Sequence, residues 1–491
     1  MNRKSLIMVL GMTVCAVTQG YAQSHNELQN AFDSWRKEIR DDFNDFRRQC
    51  MEEYIDFVRN AWKEFEGEKP VPKPKEKPVP PVVMPDEDKD KTVEPKPVII
   101  EEVVKPVPVP PQPDPVEPIE EVPVISEKKH SFTFFGTVGE VRFDTADMIK
   151  LSGVRAKDVA DGLKALSAEA YDNMIVDCLN IRQSHGLCDW AYLQMIKAMA
   201  ESLYGESTNE AALLTGYIYM QSGYRMRYAM GDGRLYVLYA TSHLVYEKDM
   251  YMVDGVRYCG LEKLPSKLLI SDAAFPKEKC MSFYISKAQK FTENMSQSRT
   301  VTSDRYPEVK ATVQVNRNLL DFYDTYPTSM ADDNMMTRWA MYANTPMQDN
   351  VREMLYPSLR KAVEGCDQSV AVNRLLNLVQ TGFEYKYDDE VWGGDRAFFA
   401  EESLFYPYCD CEDRSILFTR LVRDLLGLDC ILVYYPGHLA SAVCFTEQVS
   451  GDYIMLNGRK YIVSDPTYIG APVGRTMPGM SNQSAKVILL E

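Results

Sequence analysis

The sequence predicts an α+β protein, and three observations carry that prediction. Helical and strand-like stretches fall in blocks rather than in strict alternation, which disfavours a doubly wound parallel sheet. Two hairpin signals, GDG from Gly231 to Gly233 and DG at Asp254 and Gly255, lie between aromatic and β-branched runs such as RLYVLYATSHLVYE. Helical periodicity returns near 335–380 and again in the Leu-rich run that follows Cys411. At 491 residues the chain exceeds one typical domain, and 45% hydrophobic residues are enough for a core.

The first 22 residues carry Arg3 and Lys4, then an apolar stretch, then the small residues Gly20 and Ala22 at a cleavage site. That pattern predicts a secretory signal peptide and an exported protein, in the bacterial periplasm or at the cell surface. Val14 stands where a lipidated Cys15 would need a small residue, which argues against a lipoprotein. No later stretch reaches the roughly 18 apolar residues of a transmembrane helix. The net charge of −16, without any Lys/Arg cluster, excludes nucleic acid as partner. Of the 11 cysteines, Cys178 with Cys188 and Cys259 with Cys280 are candidate disulfides, with buried free thiols the equal alternative in a chain too long to need staples.

Residues 23–66 predict one amphipathic helix. Leu28, Phe32, Trp35, Ile39, Phe43, Phe46, Cys50, Tyr54, Phe57, Ala61 and Phe65 recur in an 11-residue repeat. Eleven residues in three turns keep such a stripe nearly straight along one face. The helix would be roughly 65 Å long. An aromatic stripe of that length favours self-association or partner docking over a solvated helix.

Residues 67–129 hold 17 of the 28 prolines and predict an extended, semi-rigid linker. Within it, DEDKDK places Lys91 where a calcium loop needs glycine, so it reads as solvated charge. Residues 130–330 form an α+β region that opens with the strand-like SFTFFGTVGEVRF. It continues with helical stretches near 155–180 and 188–204, the two hairpins and a strand-rich piece over 281–315. A last region, 331–491, contains the residues that carry chemistry.

In YCDCEDRSILFTRLVRDLLGL, Ile416, Leu417, Leu421, Val422, Leu425 and Leu426 share a helical face and Gly427 ends it. Asp410 and Asp413 form an N-terminal capping pattern. Cys411 therefore sits at a helix N-terminus, where the dipole favours the reactive thiolate; Cys409 lies one step outside. Of five histidines, His438 alone follows Cys411, after a glycine turn and at the start of a strand. Asp465, in KYIVSDPTY, ends another strand. The three are separated by 27 and 27 residues. His25, His130, His185 and His243 read as structural or surface residues. No HExxH, paired CxxC or phosphate loop occurs.

This stretch resembles the transglutaminase-like superfamily, with its papain-like thiol fold, over about 375–475. The resemblance rests on Cys411-Glu412-Asp413, the helix ending Arg423-Asp424-Leu425-Leu426-Gly427, Gly437-His438, and Asp465-Pro466-Thr467. The upstream run YKYDDEVWGGDRAFFAEESLFYPYCDCEDRSI is similar to that of the bacterial transglutaminase-like cysteine proteinases. Cys409 stands where the pattern has glycine, and Ala440 where it has tryptophan. The resemblance implies Cys411 as nucleophile, His438 as base and later acid, and Asp465 as the residue that orients His438. It implies a protein or peptide substrate, no required cofactor, and calcium as a ligand that Asp410 and Glu412 would hold. Trp392 and Tyr408 are candidate side-chain donors to an oxyanion hole beside the Cys411 N–H. The expected activity is a peptidase, amidase or acyltransferase working through a thioester. The alternatives are a catalytically silent envelope scaffold on the same fold, or a Cys409–Cys411 disulfide that silences the thiol until it is reduced.

Overall fold

The computed structural model describes residues 34, 48–75, 78–88, 91, 93–105 and 127–491. The predicted signal peptide, all but residue 34 of the first half of the predicted repeat helix, and residues 106–126 of the predicted linker lie outside the described residues. The chain divides into two compact units, residues 1–56 and 57–491. In the first, residues 48–56 are helical; the second is a mixed α+β body.

Two expectations are corrected at the start of this second unit. Helix stops at Asn60, and Trp62–Glu66 is a strand instead of the last turns of the repeat helix. Tertiary packing overrides the 11-residue pattern here. The strand pairs antiparallel with Lys267–Ser271, and Phe65 packs on the cluster that holds Leu268, Ile270 and Tyr251. The proline-rich stretch is likewise not a free spacer where it is described. Val82–Val83 pairs with Tyr468–Ile469, Ile100–Val104 pairs with Ala485–Leu489, and Val98 is buried in the core. Prolines remove N–H donors, so these pairings fall in the short gaps between them.

Two six-stranded sheets organise the body. The first runs in the order Trp62–Glu66, Lys267–Ser271, Met226–Gly231, Arg234–Thr241, Val256–Gly260, Met250–Val253, antiparallel throughout. Both predicted hairpins form in it, with Asp232, Gly233, Asp254 and Gly255 all at positive φ. The helix Asn209–Gln221, which the sequence pattern did not single out, packs on this sheet. It is buried nearly all round, so it lacks the alternation of a half-exposed helix. The SFTFF stretch forms a hairpin, Lys129–Phe134 with Thr137–Arg142.

The second sheet runs Tyr453–Leu456, Arg459–Ser464, His438–Cys444, Asp429–Tyr435, Ala485–Leu489, Ile100–Val104, with the last pair parallel. One face carries a buried cluster that includes Val433, Ala440, Ala442, Ile454 and Val487. The Cys411–Leu426 helix packs on its two central strands and touches Gln368–Thr381 and Thr337–Asn344. Among the described residues, no helix is long and apolar enough to cross a membrane. All ten described cysteines are free thiols, so neither candidate pair is joined, nor are Cys409 and Cys411.

Candidate functional site

The Cys411–Leu426 helix begins as its sequence dictates. The Asp410 N–H donates to Asp413 Oδ2 at 3.3 Å, and the other carboxylate oxygen accepts from Phe398 N at 2.7 Å. Gly427 ends the helix at φ +65. Ser415, one turn in, donates its hydroxyl to Leu439 O at 2.8 Å. That bond ties the helix to the strand residue beside His438.

His438 is the first residue of its strand because Pro436 and Gly437 make a two-residue turn there, with Gly437 at φ +73. Its Nε2 lies 2.8 Å from Asp465 Oδ2. Asp465 Oδ1 accepts from Thr467 N at 2.8 Å, so the carboxylate is held from both sides. Both side chains are almost fully buried. The other imidazole nitrogen, Nδ1, has no hydrogen-bond partner among the described residues.

Behind this pair, two buried polar side chains fix the 465–471 loop. Gln380 Nε2 donates to the carbonyls of Asp465, Tyr468 and Ala471 at 3.1, 2.8 and 3.0 Å. Arg414 reaches Gln380 O at 3.2 Å, Pro466 O at 3.4 Å and Phe383 O at 2.8 Å. Spacing arguments missed both residues. A lone buried Gln or Arg leaves no periodic signal, although Arg414 on the apolar face after CDCED could have prompted the question.

A cavity of about 350 Å³ opens in front of the pair, lined by Cys411, His438 and Gly437 together with Asp388, Asp395, Asp410, Glu412 and Arg338. Cys411 and His438 thus face one space, with Asp465 behind the imidazole. The thiol itself donates to Glu412 Oε2 at 3.1 Å. Trp392 and Tyr408 do not line this cavity. They belong to an aromatic cluster with Phe398 and Tyr406, with Arg396 stacked on Trp392 at 4.2 Å.

The electrostatics overturn one expectation. A helix N-terminus should favour a thiolate, yet burial, followed by the charges of Glu412 and Asp410, pushes the Cys411 thiol well above its ordinary value. Burial also raises Asp410 and Asp413, and takes Asp388 up to about 8, with Glu412 adding to each shift. Cys409 is likewise buried, which raises its thiol to about 11, and it does not line the cavity.

Carboxylate oxygens of Asp388, Asp395 and Glu412 lie within 4.8 Å of one another, as do those of Asp388, Asp410 and Asp413. Asp410 Oδ1 is buried and has no partner among the described residues. An all-oxygen donor set with one orphaned carboxylate oxygen suits a hard divalent cation. Asp388 and Asp395 complete this group and were not singled out from the sequence. Arg338, buried, pairs with Asp395 at 2.8 Å.

The other histidines are placed apart from this site. His130 bonds Ser202 Oγ at 2.7 Å, His185 bonds Lys290 O at 2.6 Å, and buried His243 is lowered to about 4 by desolvation. His25 lies outside the described residues. Compared with protein-family models, curated proteins and solved structures, the chain shows no match.

Proposed function

We propose that the chain is an exported transglutaminase-like thiol enzyme that cleaves or transfers amide bonds, chiefly as a peptidase, on a papain-like core. One observation carries the reading: His438, paired with Asp465 at 2.8 Å and with its other imidazole nitrogen unpartnered among the described residues, shares a cavity with Cys411. Asp465 accepting at Nε2 places the proton on that nitrogen, which leaves Nδ1 as the base.

The resting thiol is protonated, so proton removal accompanies attack instead of preceding it. His438 Nδ1 takes the Cys411 proton as the sulfur bonds to the substrate carbonyl carbon. The resulting imidazolium gives that proton to the departing amine, and a thioester remains on Cys411. His438 then deprotonates water, which attacks the thioester and releases the acid. An amine in place of water gives transamidation. Asp465 stabilises the imidazolium in both halves.

No cofactor is required in this mechanism. Calcium is the cation that Asp388, Asp395, Asp410 and Glu412 would hold, and bound there it would supply positive charge beside the thiol. Calcium at about 1 mM, in the range of extracellular oxygen-ligand sites, is expected to raise the melting temperature of the full chain by about 2 °C or more. Asp388→Asn should abolish that rise. An unchanged melting temperature in the native protein would contradict the cation site.

A silent envelope scaffold is the rival reading, and the fact in its favour is that the thiol donates to Glu412. p-Nitrophenyl acetate separates the two. The enzyme reading expects release of many equivalents of p-nitrophenol, an acetyl group trapped on Cys411, and an amide product when an amine is added. Equal release from Cys411→Ala would overturn it.

A further inference from the structure

The cavity in front of Cys411 is not walled by the catalytic core alone. Residues of the proline-rich stretch lie across it: Pro72, Lys73, Pro74, Lys75 and Pro78 all contribute to its lining. They are held at three points. Val71 O accepts from Glu247 N at 2.8 Å, Lys73 Nζ donates to Asp395 O at 2.8 Å, and Val79 N donates to Gly437 O at 2.9 Å. The last contact is one residue from His438.

We propose that this groove takes an extended, lysine-bearing peptide, and that residues 71–75 and 78–79 of the chain hold the place of such a peptide. The proposal rests on the catalytic reading above and names its substrate class. Three features support it. Prolines at 72, 74 and 78 fix φ and lack N–H groups, so the segment lies extended without joining a sheet.

Charge is the second feature. Six carboxylates line the cavity, from Glu247, Asp388, Asp389, Asp395, Asp410 and Glu412, against the three cations Lys73, Lys75 and Arg338. Two of those three cations belong to the segment, and Arg338 is already paired with Asp395. With the segment displaced, one arginine faces six acidic side chains in a partly enclosed space; even with Asp388 and Asp410 raised by burial, acidic groups outnumber that cation, and the field attracts a cationic peptide and rejects an acidic one. Third, His438 and Asp410 line the same cavity, and each carries a buried polar atom, Nδ1 and Oδ1, with no partner among the described residues, so the site retains polar capacity that its present occupant does not use.

The test is binding of a fluorescent peptide of sequence VPKPKEKPV to the full chain carrying Cys411→Ala, in chelator, by anisotropy. Lys73→Glu together with Lys75→Glu repels the internal segment, and Lys73→Ala with Lys75→Ala serves as the milder pair should the first misfold. Either pair is expected to bind the peptide at least about tenfold more tightly than the parent, because the tethered competitor is weakened. The same peptide with acetylated lysines is expected to bind at least about tenfold more weakly than the unmodified one. Equal affinity of parent and variants, or equal affinity for the acetylated peptide, would overturn the proposal. Because Cys411 is absent, that failure would leave the acylation chemistry untouched.

Discussion

Replacing His438 with alanine is expected to slow acylation of Cys411 by p-nitrophenyl acetate at pH 7 by about 10²- to 10⁴-fold. The size follows from the state of the thiol. Burial and two neighbouring carboxylates hold it protonated well above its ordinary pKa, so little thiolate exists at neutral pH unless a base removes the proton during attack. The sign of the residual pH dependence follows too. In His438→Ala the reactant is free thiolate, whose population rises tenfold per pH unit until the raised pKa is reached. The rate should therefore still be climbing above pH 9. In the native chain the proposed base takes the proton during attack, so the rate should depend less steeply on pH than in the variant. Asp465→Asn should fall between the two, because Nε2–H loses the carboxylate that fixes its tautomer and stabilises the imidazolium. A His438→Ala rate within about threefold of the native rate would remove the imidazole from the reaction.

Arg414→Met is expected to cost about 3–5 kcal/mol of stability, read as a lower urea midpoint, and to release the loop that bears Asp465. Arg414 is buried on the inner face of the Cys411–Leu426 helix and donates to three carbonyls that have little access to water. Methionine approximates its volume but satisfies none of them, and each buried orphaned carbonyl costs about 1–3 kcal/mol. Lysine could reach one carbonyl and would recover only part of the loss. The consequence for the site is indirect. Gln380 loses the bond to its own carbonyl, and with it the rigidity that lets its amide clamp Asp465, Tyr468 and Ala471. A stability change below about 1 kcal/mol would show that this network bears little of the fold.

Local signals carried most of what sequence reading found. The capping pair around Cys411, the turn before His438 and the strand end at Asp465 each depend on a few adjacent residues, and the structure places these three side chains around and behind one cavity. The hairpins at Asp232–Gly233 and Asp254–Gly255 were legible because positive φ demands those residue types. Long-range choices were not. Phe65 suits a helical stripe and a strand equally, and pairing with Lys267–Ser271 decides between them. Ile100–Val104, set among prolines, becomes an edge strand only because Ala485–Leu489 offers a partner more than 380 positions away. Asp388 and Asp395 join Glu412 through the fold, not through spacing. The thiol's protonation was misjudged because the helix dipole is a local term, whereas desolvation and two carboxylates are properties of the assembled site.

The most direct test of a reactive Cys411–His438 centre is the order in which native thiols react with iodoacetamide at pH 7, followed by peptide mapping. Cys366 and Cys280 are partly exposed, whereas Cys411 is 4% exposed, so accessibility alone would modify the first two before the third. The proposed imidazole base, sharing the cavity with the sulfur, reverses that order: Cys411 is expected to be modified at least about tenfold faster than Cys366, and this advantage to vanish in His438→Ala. Modification of Cys411 only after Cys366 and Cys280, at a rate indifferent to His438, would contradict the account.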